Sequence, residues 1–290
     1  MSDSKTSIVI LNYNDFATTD KMLVQIHDYV FLSKIIVVDN YSSDDSYHRL
    51  IEKYGSDSKI VIVQTERNGG FSFGNLIGIQ YARDRLGSQF IFVSNPDIVV
   101  SEQTLVETVR TLESDSSAVA CAPLVRRPYT DAPCDYFFGG TFLYDFFMFF
   151  PFMYRLFGKK LREPAADAIQ EVKLLPGCFL CLTASVYDIT QLYDTDFFLC
   201  YEEQVMSEKV HKAGLKLLLN TKISLLHEES VSIKKNINTI RKNRIVFDSF
   251  CLFYRRYKHV PTLFIFIARG LFSFVNAIRA FYYSWGNQHV

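Results

Sequence analysis

SIVILNYND, residues 7–15, is a run of strand-forming apolar residues that stops abruptly in Asn12-Tyr13-Asn14-Asp15. Working outward, the same design recurs three times. Ile35–Val38 ends in Asp39-Asn40. Ile60–Val63 leads into Glu66-Arg67-Asn68-Gly69-Gly70-Phe71. Phe90–Val93 ends in Asn95-Pro96-Asp97. Helical patterns near 16–30, 44–54 and 73–86 lie between these runs, and a fifth strand at 118–122 follows a helix at 102–113. Strand–helix alternation predicts an α/β chain with a Rossmann-like, mostly parallel central sheet, flanking helices and right-handed crossovers. The unbroken apolar runs predict strands covered on both faces. In such a sheet all four polar strand ends share one edge, where doubly wound folds bind ligands. One polar strand end is usually a helix cap. Four together, with Asp39, Asp97 and a glycine turn, describe a ligand edge.

Order returns at 171–232. Strands are expected at 172–175, 178–183, 215–219 and 222–226, with a helix near 202–213. The stretch between, about 124–170, is less regular. Its segment 136–157, YFFGGTFLYDFFMFFPFMYRLF, is interrupted by Asp145, Pro151 and Arg155, short of the ~20 apolar residues of a spanning helix. It reads equally as core or as an aromatic lip beside a lipid-linked substrate or the membrane interface.

Composition narrows the class. With 49% hydrophobic and 21% charged residues, the 290-residue chain is neither disordered nor collagen-like. The balance of 31 basic and 31 acidic residues hides an asymmetry. Residues 233–290 hold ten Lys/Arg and one acid, 10 − 1 = +9, so residues 1–232 carry 21 − 30 = −9. Met1–Lys5 has no apolar run, so no signal peptide is expected. Cys178 and Cys181 form a single CxxC with apolar neighbours, which fits buried thiols better than four-ligand zinc.

Several polar groups carry chemistry. Asp97, on the turn after an apolar strand, could hold a divalent cation against a diphosphate, since Mg²⁺ favours one or two carboxylates plus phosphate oxygens. Asp194-Thr195-Asp196 is a rival acidic pair, but it reads as a turn feeding Phe197-Phe198-Leu199. Glu202-Glu203 begins an amphipathic helix beside an apolar wall. There it is either a dipole-complementing pair or a base with a raised pKa. His227, after Ile223–Leu226, is either structural or a neutral metal ligand near Asp97.

Taken together, SIVILNYN (7–14), IIVVDNYSSDDS (35–46), NGGFSFGNLIGI (68–79), VSNPDIVV (93–100), LPGCFLCL (175–182), DTDFFLCYEEQV (194–205), KAGLKLL (212–218) and HEESVS (227–232) resemble family-2 glycosyltransferases of the GT-A fold, especially the bacterial rhamnosyltransferase-like branch. The resemblance spans about residues 6–232. It implies a catalytic domain over 1–232, with a nucleotide-binding half to about 100 and an acceptor half beyond. By the same resemblance, Asn12, Tyr13 and Asp39 would hold base and ribose. Asn68, Gly70, Phe71 and Asn75 would line the nucleotide pocket. Asp97 would bind Mg²⁺ or Mn²⁺ with Asn95 assisting, and His227 would join the metal. Glu203 would be the catalytic base, with Glu202 beside it. The chain departs from the pattern in its Glu-Glu pair, in Val205 and Lys209 where an acid and an arginine are common, and in Leu76 after Asn75. The implied reaction inverts the anomeric centre of a nucleoside-diphosphate sugar (dTDP-rhamnose first, a UDP-sugar next). Its acceptor would be a lipid-linked or cell-surface glycan such as O-antigen. A nucleotidyltransferase expects a Gly-rich, basic loop where NYND stands. A non-catalytic scaffold is the remaining alternative.

The tail, 233–290, reads as amphipathic helices. From Pro261 to Trp285 the length could span a bilayer, but Arg269, Ser273, Asn276 and Arg279 form one polar face. Opposite lie Phe264, Ile267, Leu271, Phe274, Ile278 and Phe281, the pattern of an in-plane interfacial helix. Arg241, Lys242, Arg244, Arg255, Arg256 and Lys258 upstream would meet anionic headgroups. The expectation is a cytoplasmic protein peripheral to the inner membrane face. An oligomer contact is the other use of such a helix, and no nucleic-acid module is visible.

Overall fold

The computed structural model describes residues 5–128, 141–150, 164–228 and 239–286. Strands β1 (Thr6–Asn12), β2 (Lys34–Asp39), β3 (Ile60–Gln64) and β4 (Phe90–Ser94) lie parallel in the order β3-β2-β1-β4. Helices α1 (Phe16–Ile26), α2 (Ser46–Tyr54) and α3 (Gly70–Asp84) make the crossovers. The apolar runs of β1, β2 and β4 are buried on both faces, as their continuity implied, whereas β3, at the end of the sheet, is only half-buried beyond Ile60. Ile8 and Ile10 face a core with Met22, Leu23, Leu50 and Phe92. Val9 faces the other way, with Ile36, Val38, Ile79 and Val93. Each such side chain contributes about 1.5–3 kcal/mol of burial. The register sets Asn12 opposite Asp39 and Asp39 opposite Gln64, so the polar ends form one edge.

The chain continues through β5 (Ile98–Val99), α4 (Glu102–Glu113), β6 (Ala118–Arg126), α5 (Phe142–Met148), β7 (Ile169–Val172), β8 (Phe179–Thr183), α6 (Ser185–Thr190), α7 (Glu202–Lys212) and β9 (Lys216–His227). These strands extend the sheet as β4-β8-β6-β9-β5, with β7 also on β9. β8 runs antiparallel to β4 and β6, and β5 and β7 run antiparallel to β9. The two strands expected at 215–219 and 222–226 are one. Between Asn220 and Ser224 the register shifts against Pro123 and Leu124, and this irregularity carries the polar residues that suggested a break. The strand expected at 172–175 lies earlier, at 169–172. Leu174 and Leu175 are buried outside the ladder just before Pro176, which has no N–H to donate.

Helices α8 (Thr239–Arg256) and α9 (Thr262–Gly286) build a third core with α5 and the 197–205 segment. It contains Phe146, Phe197, Tyr201, Val205, Phe250, Phe253, Ile265 and Ala268, and Phe247 stacks on Phe272 with ring centroids 3.8 Å apart. Residues 141–150 of the aromatic segment enter this core through Phe142, Phe146, Phe149 and Phe150, whereas Leu143 and Phe147 are exposed. Residues 136–140 and 151–157 lie outside the described residues.

α9 has three sectors rather than two. Ile265, Ala268 and Phe272 pack inward. Arg269, bonded to Asp248 at 2.9 Å, lies on a polar strip beside them. The remaining arc is apolar and exposed: Leu263 (66%), Phe264, Phe266 (74%), Ile267, Leu271, Phe274 (65%) and Ile278. Part of the tail's positive charge is spent internally, in Arg256 on Asp194 and Asp196 and in Lys258 on Glu208. Among the described residues no helix is long and apolar enough to cross a membrane.

Candidate active site

The polar edge of the sheet holds a connected set of groups. Asn12 and Asp39, both fully buried, are bonded to each other, Asn12 Nδ2 donating to Asp39 Oδ2 at 2.8 Å. Asp39 also accepts from the Ser42 backbone at 3.0 Å and the Ser42 hydroxyl at 2.6 Å, and Thr19 donates to Asn12 Oδ1 at 2.9 Å. Asn12 therefore orients Asp39, with half-buried Tyr13 next along the chain. Next to Asp39, Asn40 donates to Asn68 Oδ1 at 3.1 Å and to the Gly70 carbonyl at 3.0 Å, fixing the glycine turn. Sequence reading left Asn40 out of the candidate residues. Its only signal was its place at a strand end.

Gly70 has φ +86°, a left-handed conformation that glycine adopts without a Cβ penalty. A Cβ there would lie 2.2 Å from the Phe198 carbonyl oxygen. The neighbouring Phe71 N–H donates to that same oxygen at 2.8 Å. The glycine turn is thus docked on the segment leading to the acidic pair. Asn75, fully buried one turn into α3, donates to the Phe71 carbonyl at 3.1 Å.

Two successive residues with positive φ, Cys200 (63°) and Tyr201 (69°), turn the chain into α7. Such geometry costs about 1–3 kcal/mol per residue and collects at functional sites. It places Glu202 and Glu203 in the first turn of α7. Burial pushes both carboxyls up, and the Glu203 charge raises Glu202 further. The Gly177 N–H pulls Glu203 part of the way back, and a Cβ on Gly177 would lie 2.5 Å from Glu203 Oε1. Glu202 is 6% exposed, and its Oε2 has no hydrogen-bond partner among the described residues. Next to Gly177, the Cys178 carbonyl accepts from the Asn95 N–H at 2.8 Å. Glu203 therefore stands beside the Asn95-Pro96-Asp97 turn. LPGCF gave no sign that its glycine leaves room for a carboxylate.

Asp97 Oδ1 lies 3.2 Å from His227 Nε2, and both side chains are largely buried. The link is made by backbone: Ile98 pairs with His227, and the Glu228 N–H donates to the Asp97 carbonyl at 3.0 Å. Among the described residues no group of three or more His, Cys, Asp or Glu side chains could hold a metal by itself. A two-ligand site completed by substrate phosphate is what Mg²⁺ prefers, and cis ligands at ~2.1 Å from an octahedral ion lie about 3 Å apart. The Asp97–His227 spacing fits that requirement. The rival Asp194 and Asp196 are each held at 2.6 Å by Arg256, and Tyr257 donates to Asp194 at 2.8 Å.

The mixed sheet and its flanking helices form a GT-A type fold, with a carboxylate pair and an Asp–His pair near its polar edge. Residues 7–161, just over half of the chain, match the family model "Glycosyl transferase family 2", and the chain belongs to that family. It is 22% identical over 229 residues to the low-salt glycan biosynthesis hexosyltransferase Agl10 of Haloferax volcanii, covering 78% of this chain and 67% of the relative. The fold is similar to that of GalNAc-T7 with UDP, GalNAc and Mn²⁺ (TM-score 0.63, 17% identity, 79% of this chain), although the chain spans only 44% of that longer one. It is also similar to the mannosyltransferase PcManGT of Pyrobaculum calidifontis in complex with GDP-Man and Mn²⁺ (TM-score 0.58, 15% identity, 91% of this chain and 68% of that one).

Proposed function

We propose that this chain is an inverting, metal-dependent hexosyltransferase. It would move a sugar from a nucleoside diphosphate to a hydroxyl of a lipid-linked or cell-surface glycan. The observation that carries the reading is the adjacency of Glu203, at Gly177, to the Asn95-Pro96-Asp97 turn, whose Asp97 is 3.2 Å from His227. The bound UDP, GDP-Man and Mn²⁺ of the structural relatives support a nucleotide-sugar donor and a divalent cation.

Tyr13 and Asp39 with the Asn68–Phe71 turn would receive the nucleoside, and Asn95 would face the sugar. Asp97 and His227 would hold Mg²⁺ or Mn²⁺, which when bound neutralises the leaving diphosphate. Glu203, ionised, accepts the proton of the attacking acceptor hydroxyl as an oxocarbenium-like transition state forms. Burial and the neighbouring Glu203 charge raise the Glu202 pKa, which favours a single shared charge on the pair. Rhamnose is the first donor sugar to test and a UDP-sugar the next. The exposed apolar arc of α9, on a tail rich in basic residues, supports attachment to an anionic membrane surface, where a lipid-linked acceptor would be found.

A melting-temperature screen of sugar nucleotides with Mn²⁺ tests the donor, because a ligand at 100 times its Kd stabilises by about 2.7 kcal/mol. Metal-dependent hydrolysis of the best hit should be lost in Glu203→Gln. If no sugar nucleotide shifts the melt with any divalent cation, the transferase reading fails and the fold serves as a scaffold.

A further inference from the structure

The reaction as proposed uses neither Asp194, Asp196 nor Arg256, yet these three join the tail to both halves of the site. Arg256 Nη1 donates to Asp194 and Nη2 to Asp196, each at 2.6 Å. Tyr257 adds a bond to Asp194 at 2.8 Å, and Ser249 donates to the Leu199 carbonyl at 2.9 Å. Phe197, between these anchors, is fully buried in the core shared with α8. The next residue, Phe198, offers its carbonyl to the Phe71 N–H and fills the space beside Gly70. Three residues further, Tyr201 turns the chain into Glu202 and Glu203.

We propose that Arg256 is a positioning residue for transfer: by spanning Asp194 and Asp196 it fixes the 194–201 segment, which docks the donor turn and aims the carboxylate pair. This rests on the proposed transferase reading. The chemistry of the contact suits the role. A guanidinium fork bridges two carboxylates of one turn with directed bonds, which a lysine ammonium cannot reproduce. The successive positive-φ residues Cys200 and Tyr201 need such an over-determined surround to persist. The segment has two outputs, so loosening it should disturb donor binding and turnover together.

The test uses the full chain and two readouts. Hydrogen exchange in Arg256→Gln should quicken roughly tenfold in peptides over 68–76 and 197–206 and stay unchanged in β1 and β2. Turnover of the donor found in the melting screen should show kcat falling and donor KM rising, each by about five- to tenfold. Arg256→Lys should restore little of either. Adding Asp194→Asn to Arg256→Gln should cost less than about twofold more, because both act through one contact. Asp196→Asn, which removes only the exposed arm, should give the same pattern at smaller amplitude. The proposal is overturned if exchange over 68–76 is unchanged, or if it quickens evenly through the sheet. An unchanged KM with only a smaller active fraction would also overturn it. A wild-type chain inactive on every sugar nucleotide would sink the transferase reading, and the exchange data would still decide the bracket.

Discussion

Asp97 and His227 meet at 3.2 Å because β5, only two residues long, pairs with the last two residues of β9. The turn that carries Asp97 is therefore fixed at both ends, by the Asn95–Cys178 backbone bond and by the Glu228–Asp97 one.

Asp97→Asn should abolish transfer, and His227→Ala should weaken it. Calorimetry with Mn²⁺ and nucleotide should show at least a tenfold loss of metal-dependent affinity in each, the scale seen when a ligand or its support is removed. If Asp97→Asn kept its metal response while Asp196→Asn lost it, the metal role would pass to Asp194-Thr195-Asp196.

Glu203→Gln should lower turnover by ~10²-fold or more with donor affinity nearly unchanged, and Glu202→Gln should be milder. The sign for stability differs from that of an ordinary carboxylate. Both folded-state pKa values are raised by burial. Above the unfolded value of about 4.3, the folded pair therefore binds more protons than the unfolded chain, and stability falls as pH rises. Glu202→Gln should melt higher than wild type at pH 8, with the gap closing near pH 4. A gap that widened on acidification would refute the buried neutral acid.

Substitution of two glycines should separate donor binding from turnover. Gly70→Ala meets the Phe198 carbonyl at 2.2 Å and costs at least ~1–2 kcal/mol from its left-handed backbone alone, so it should melt earlier and bind donor poorly. Gly177→Ala presses first on Glu203, at 2.5 Å from Oε1, and should lower kcat while sparing donor affinity. Equal effects of the two on donor titration would show that the halves are not separable.

The tail offers a further pair. Phe266→Asp and Phe274→Asp lie on the exposed arc and should abolish sedimentation with anionic liposomes while the melt stays within about 0.5 kcal/mol of wild type. High salt should weaken wild-type binding only in part, since screening spares buried apolar area. Phe272→Ala, which empties the stack on Phe247, should instead cost about 3–5 kcal/mol. Unchanged sedimentation of the two Asp variants would remove the membrane role.

Local signals carried the first half of the fold. Apolar runs and their polar ends located β1 to β4, and α4 lies at 102–113 as its periodicity indicated. Asp97, the Glu202-Glu203 pair and His227 stood out because each follows or precedes an apolar element, and only the family resemblance singled out Glu203. Long-range contacts were not legible. Arg256 looked like one of six basic residues for a membrane, yet it reaches two carboxylates some 60 residues away. The inward stripe of α9 was also hidden, because helical spacing separates polar from apolar but cannot say which apolar face finds a partner.

The dependence of the donor turn on the 194–201 segment, and of that segment on α8, also has a consequence for biosynthesis. The polar sheet edge built from β1 to β4 is translated early, but its turn at Gly70, held by Asn40, lacks the Phe71–Phe198 backbone bond until Phe198 emerges. The segment bearing Phe198 is not pinned until Arg256 follows. A nascent chain should therefore hold the β1–β4 strands without a working transferase until Arg256 has been translated.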